Sequence, residues 1–242
     1  MKYVALPTTC GAERQVSFFL AMEEYVARHF CSADSFFTWQ VGPSVIFGRN
    51  QDIWSEVNVD YCRRQSISMF RRKSGGGCVY ADWGNVMFSY VTPDTNVNLT
   101  FHRFISMLIL VLRKLGAEAT ATGRNDVLVD GRKVSGTAFY HLPQASIVHG
   151  TMLYDTNMAH MLTAITPPRE KLDRHGVQSV RQRIGLLKDH LSLTIGQLCD
   201  AARQTLCDGE LLLTAGDVCA IEQLEQDYLR EDFIFGKTTG KP

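Results

Sequence analysis

Residues 67–91 read ISMFRRKSGGGCVYADWGNVMFSYV. Two β-rich runs, Ile67 to Arg71 and Val86 to Val91, flank Gly75-Gly76-Gly77, so the chain arrives as a strand, turns over the glycines and leaves as a strand. The same pattern continues outward. Phe36 to Val41 and Ser44 to Phe47 are strands around the Gly42-Pro43 turn, Val127 to Val129 turns at Asp130-Gly131, and Ile147 to Tyr154 is another strand. Helical spacing marks Val16 to His29, with Phe19, Leu20, Tyr25 and Val26 as its buried positions. It also marks Leu99 to Leu115, with Phe101, Phe104, Leu108 and Leu112 on one face and Gly116 closing the helix. Thr194 to Leu206 starts at a plausible N-cap threonine, and Val218 to Leu229 is a last helix. Strands lie close to one another in sequence, without a steady βαβ rhythm. This predicts an α+β fold with a mixed, mainly antiparallel central sheet flanked by helices. No Pro-, Gly- or Ser-rich linker divides the chain, so residues 1–242 are read as a single domain.

Composition narrows the function classes. The formal net charge is zero, so bulk charge favours neither nucleic acid nor a membrane surface, and neither is expected as a partner. The longest apolar run, Phe104 to Leu112, is too short to span a bilayer. The N-terminus does not read as a secretory signal, so the seven cysteines are expected to be reduced thiols in the cytoplasm. They form no C-x-x-C pair, so no fixed metal site is expected.

Three pieces carry chemistry. Gly75, Gly76 and Gly77 let the backbone approach a ligand closely and aim successive N–H groups at an anion, while Arg71 and Arg72 add forked donors. The glycines alone also fit a flexible turn. Lys133, in GRNDVLVDGRKVSGTA (residues 123–138), is either a solvated hairpin lysine or a point charge for a phosphate. His149-Gly150-Thr151 opens a strand, where a lone histidine is usually structural.

Together, these pieces resemble the lipoate-protein ligase family. The match runs through Arg71-Arg72, Ser74-Gly75-Gly76-Gly77, Asp82, Gly84-Asn85, Asn125-Asp126, Lys133, Ser135-Gly136, Ala138 and His149-Gly150-Thr151, with weaker echoes in Gly48-Arg49-Asn50-Gln51 and in residues 171–181. It covers roughly Ala21 to Arg183. The resemblance implies an enzyme that joins lipoate to ATP, with Mg2+ accompanying the phosphates, and passes the lipoyl group from lipoyl-AMP to a carrier lysine. The implied carriers are lipoyl domains of 2-oxoacid dehydrogenase complexes or the glycine cleavage H protein. It implies Lys133 as the catalytic residue, bridging the acyl carbonyl and the α-phosphate. Arg72, Ser74, Gly75, Gly76, Gly77, Cys78, Val79 and Tyr80 would hold the phosphates and acyl-adenylate. Asn85, Asp126, Ser135, Gly136 and Ala138 would shape the nucleotide side, and His149 the acyl side. Val45, Phe47, Phe70 and Val79 are expected along the acyl chain beside His149.

Ligases of this family carry a C-terminal accessory domain after a Phe-Gly-Lys-type segment, which here is Phe235-Gly236-Lys237. The accessory domain is therefore expected to be absent, which leaves open whether the chain adenylates lipoate by itself or performs only the transfer half beside a separate accessory subunit. Two alternatives remain open. One is an ATP-independent octanoyl or lipoyl acyltransferase, for which Cys78 is the one thiol near the glycines; the other reading of Cys78 is a small residue filling a small space. The second alternative is a non-catalytic subunit that binds lipoate or a carrier. A biotin-specific ligase is disfavoured, because Arg72-Lys73-Ser74-Gly75 stands where a Gly-Arg-Gly-Arg-type loop would be.

Overall fold

The computed structural model describes residues 1–8, 13–121, 126–166 and 184–236. The strands are β1 (Lys2–Ala5), β2 (Ser35–Trp39), β3 (Ser44–Phe47), β4 (Ser68–Arg71), β5 (Val79–Ala81), β6 (Asn85–Thr92), β7 (Ala119–Ala121), β8 (Asp126–Val129), β9 (Arg132–Leu142), β10 (Ala145–Leu153) and β11 (Gly209–Leu212). The helices are α1 (Val16–His29), α2 (Ile53–Glu56), α3 (Val59–Arg64), α4 (Val97–Lys114), α5 (Met158–Ala164), α6 (Ile195–Leu206), α7 (Ala215–Leu229) and α8 (Glu231–Phe235). The main sheet runs β11-β1-β2-β6-β10-β9-β8-β7. Pairing is parallel at the β11-β1-β2 end and antiparallel from β2 onward. A small sheet, β4-β3-β5, carries the glycine loop between β4 and β5. The α+β reading with a mainly antiparallel sheet therefore holds.

Alternation along β6 divides the core. Val86, Phe88 and Tyr90 pack with Phe104, Leu108 and Leu112 of α4 and Leu198 of α6. Met87 and Val91 face the other way, toward Phe18, Met22 and Val26 of α1 and Ile221 of α7. A third cluster lies under the small sheet, where Val45, Phe47 and Tyr80 meet Ile53, Val59 and Met161. Each such buried side chain contributes roughly 1.5–3 kcal/mol, against at most about 1 kcal/mol for an exposed ion pair, so these clusters hold the layers together.

Helix ends follow local chemistry. Asn96 accepts from Leu99 N at the start of α4, and Gly116, with φ of 91°, follows its last turn. Thr194 and Gln197 form a reciprocal capping box on α6. Among the described residues, no helix is long and apolar enough to cross a membrane.

Three expectations need correction. The helix α1 is packed on nearly all sides: Phe19 and Tyr25 are only half-buried, while Glu23 and Glu24 are buried beside Phe18 and Met22. Phe101 of α4 is half-buried, and Ile105 and Val111 join the core instead. Two strands lie outside the expected elements: β5 is only three residues long, and Ser135, Gly136 and Thr137 break the apolar alternation of the eleven-residue β9.

Candidate active site

The site is built on the α1-facing side of β9 and β10. A cleft of about 120 Å³ lies there, roofed by Gly76, Gly77, Cys78 and Val79. Its floor is Lys133, Gly136, Thr137 and Ala138 of β9 with His149, Gly150 and Thr151 of β10. Leu20, Trp39, Ile46 and Met87 form an apolar recess. One end is thus cationic and polar, the other apolar.

A bulge decides where Lys133 points. In the β8–β9 pair, Val127 opposes Ser135 while Leu128 opposes Lys133, leaving Val134 as an extra residue. Ser135 opposes Met152, which belongs to the α4-side core, and Val134 lies in that core too. Two consecutive residues therefore turn toward α4, and Lys133 is reset to the cleft face. There its Nζ lies 2.8 Å from Asp126 Oδ1. Gly136 leaves space for the lysine: a Cβ at that position would come within 3.0 Å of Nζ.

The glycine loop is held from its root. Arg72 donates to the carbonyls of Gly75 (2.7 Å from Nη2), Gly77 (2.7 Å) and Ile46 (2.9 Å). Burial lowers its pKa to about 10, with the Cys78 and Glu23 sides pulling the other way, so it stays charged at neutral pH. Gly76 has φ of 91°, a conformation that side chains disfavour. Among the described residues, nothing accepts from the N–H groups of Gly75, Gly76 and Gly77, so three successive donors remain available to an anion. Arg71 sits outside the cleft. It donates to the carbonyls of Gly48, Arg49, Gln51 and Ile234 and lies over the Phe47 ring.

Behind the cleft runs a buried polar chain. His149 Nδ1 lies 2.8 Å from Glu23 Oε2, and His149 Nε2 lies 2.8 Å from Ser74 Oγ. Ser89 Oγ donates to Glu23 and accepts from Trp39 Nε1 at 2.8 Å. If Nδ1–H donates to Glu23, the neutral ring leaves Nε2 to accept the Ser74 hydroxyl. The adjacent Glu24 accepts from Lys73 Nζ (2.7 Å), Tyr228 OH (2.8 Å) and Arg28. Burial pushes the Glu24 carboxyl up, but these three hydrogen bonds pull it down further, to below its usual value. Among the described residues, no three His, Cys, Asp or Glu side chains gather as metal ligands.

A family model for the lipoyl protein ligase A/B catalytic domain matches residues 15–207. The chain belongs to this family. The lipoate-protein ligase LplJ of Bacillus subtilis is 37% identical over 174 residues, which is 71% of this chain and 53% of that protein. The chain thus spans about half the length of the curated relatives it matches first. It is similar across 99% of its length, with a TM-score of 0.84 and 25% identity, to a structure described as a bi-partite lipoate protein ligase with its E2 lipoyl domain from Thermoplasma acidophilum. That match covers 98% of the T. acidophilum chain. A lipoate-protein ligase A bound with ATP shares the fold at a TM-score of 0.82 and 23% identity, covering 97% of this chain and 98% of that one.

Within this lipoyl-ligase domain, the expected site residues divide. Arg72, Gly76, Gly77, Cys78, Val79, Lys133, Gly136, Ala138 and His149 line the cleft. Ser74 stands behind it on His149, Gly75 turns its carbonyl to Arg72, and Asp126 pairs with Lys133. Ser135 faces α4 by its pairing with Met152, and the Tyr80 side chain faces the cluster under the small sheet. Asn85 donates to Tyr80 O, and its buried Oδ1 has no partner among the described residues. Asn125 and residues 171–181 lie outside the described residues.

The expected acyl-chain residues are corrected. Val45 and Phe47 point away from the cleft and Ile46 points in, a consequence of the two-residue period of β3. Phe70 is buried on the Ile46 side without reaching the cleft. Sequence reasoning missed Glu23, Glu24, Trp39 and Met87. The available signal was two adjacent carboxylates inside an otherwise apolar helix, at positions where only a paired acid is buried.

Proposed function

We propose that this chain holds lipoyl-AMP in the cleft and transfers the lipoyl group to a lysine of a carrier domain, with lipoate activated by MgATP. The observation that carries this reading is the pairing of two ends in one cleft. Lys133, Gly76 and Gly77 line the same cleft as the apolar recess of Leu20, Trp39, Ile46 and Met87. An acyl-adenylate needs both, an apolar slot for its chain and positive groups for its phosphate.

In the first step a lipoate carboxylate oxygen attacks the α-phosphorus of ATP. The bond to the β-phosphate bridging oxygen breaks and pyrophosphate leaves with Mg2+. In the second step the neutral amine of the carrier lysine attacks the acyl carbon, the C–O bond to AMP breaks, and the amine proton passes to solvent. Lys133 stabilises the charge that develops on the carbonyl and phosphate oxygens in both steps. The loop N–H groups hold the phosphate, and His149, fixed by Glu23, shapes the acyl side.

The carriers proposed are lipoyl domains of 2-oxoacid dehydrogenase complexes or the glycine cleavage H protein. The near-complete overlap with one chain of the bi-partite T. acidophilum ligase supports a division of labour, in which transfer from lipoyl-AMP resides here and adenylation draws on an accessory subunit. The test is to incubate the protein with ATP, Mg2+ and lipoate, with and without carrier, and separately with synthetic lipoyl-AMP and carrier. Transfer from lipoyl-AMP supports the reading, and pyrophosphate release without an accessory chain would make the protein self-sufficient. Failure to bind or transfer from lipoyl-AMP rejects it. Cys78 lines the cleft, which keeps a second reading specific: ATP-free acyl transfer through a thioester, visible as an acyl adduct on Cys78 in mass spectra.

A further inference from the structure

We infer that Glu24 is a positioning residue for the glycine loop, acting through Lys73 together with Tyr228. The inference rests on reading the cleft as a lipoyl-AMP site.

The loop cannot hold its own shape. A Cβ built at Gly75 or Gly77 would find nothing within 4 Å, so no side-chain packing could fix the loop at those positions. Ordering such residues costs about 1–2 kcal/mol each, a cost that must be offset by contacts at the root. Three consecutive root residues supply them. Arg72 bonds to carbonyls inside the loop and ties it to Ile46. Ser74 is fixed through His149 to Glu23, and its carbonyl accepts from Arg49 N at 2.9 Å. Lys73 is fixed directly by Glu24. Two adjacent carboxylates of α1 therefore hold two adjacent residues of the loop.

The Glu24 contact differs from an ordinary surface pair. The Glu24 side chain is 1% exposed, and that of Lys73 is 23% exposed. Lys73 Nζ also lies 4.6 Å from the centre of the Tyr228 ring, whose hydroxyl donates to the same carboxylate oxygen. Helix α7 thus completes the anchor. Neither Glu24 nor Lys73 lines the cleft, so any effect on ligand must pass through the loop.

The test measures lipoyl-AMP affinity by calorimetry and single-turnover transfer at saturating lipoyl-AMP, using the whole 242-residue chain. Lys73→Met should raise the Kd about tenfold, the scale of one lost charge-assisted hydrogen bond. Saturated transfer should stay within about threefold of wild type, because bound ligand orders the loop again. Lys73→Arg should restore the affinity. Adding Glu24→Gln to Lys73→Met should bring no further loss, because the two residues act as one unit. Lys73 is partly exposed, so its variant is informative even where Glu24→Gln folds poorly. A Lys73→Met protein that binds within about twofold of wild type overturns the inference. So does an affinity loss that Lys73→Arg fails to recover. Wild-type protein that does not bind lipoyl-AMP rejects instead the reading beneath it.

Discussion

Lys133 Nζ and Asp126 Oδ1 stand 2.8 Å apart on neighbouring strands, at the cationic end of the cleft. The ion pair holds the lysine extended over Gly136 without burying it, since its side chain remains 35% exposed. Replacing Lys133 by Ala should therefore cost little stability. It should lower transfer from lipoyl-AMP by roughly a thousandfold, the scale of a lost charge-stabilising donor. Thermal unfolding beside single-turnover transfer checks this, and a variant that retains transfer removes Lys133 from the catalytic role.

The bulge at Val134 makes a separate prediction. Deleting Val134 removes the extra residue and restores strict alternation, which leaves Lys133 on the cleft face next to the α4-facing Ser135, so transfer should survive in the deletion variant. Val134→Ala keeps the bulge and should keep activity, at a cost of about 1–3 kcal/mol for the cavity left in the core. A deletion variant as inactive as Lys133→Ala would refute this account of the register.

Close backbone approach separates two glycines. A Cβ on Gly48 would lie 2.3 Å from the Gly76 carbonyl oxygen, whereas one on Gly75 would touch nothing within 4 Å. Gly48→Ala should displace the glycine loop and weaken lipoyl-AMP binding by more than tenfold, at least about 1.4 kcal/mol. Gly75→Ala should bind much more nearly like wild type. Titrations of the two variants side by side decide it, and the reverse order would contradict the geometry.

Removing one member of the buried Glu23–His149–Ser74 chain strands its partners. His149→Ala leaves a Glu23 oxygen and the Ser74 hydroxyl without their shared partner, and should destabilise the fold by about 2–4 kcal/mol. Urea unfolding measures this, and a loss under 1 kcal/mol, roughly the worth of an exposed pair, would contradict the burial argument.

Glu24 gives a pH dependence. Its carboxyl lies below the ordinary value of 4.5 in the fold, so the folded state favours its ionised form. That contribution is complete above about pH 4.5 and is lost as pH falls through the lowered folded value. Glu24→Gln should flatten the acid limb of a stability–pH curve. Parallel curves for wild type and variant below that pH would exclude Glu24 as a source of acid sensitivity.

The sequence by itself determined strands β4 and β6 on either side of the glycine loop and helices α1, α4 and α6, and it singled out Arg72, Lys133 and the loop glycines. Those follow from local rules: period-two and period-3.6 apolar spacing, capping by Thr194, and the bareness of Gly75 to Gly77. The tertiary structure decided which way side chains point and which distant residues share a contact. Ile46 faces the cleft where Val45 and Phe47 do not, because strand pairing fixes a parity that the residues alone leave open. Lys133 reaches the cleft through a bulge that depends on how β8 and β9 register. Glu23 meets His149 126 positions away, and Glu24 meets Tyr228 204 positions away. Such contacts exist only once α1 is packed between the sheet and α7, where burial confines each carboxylate to the partners the fold brings to it.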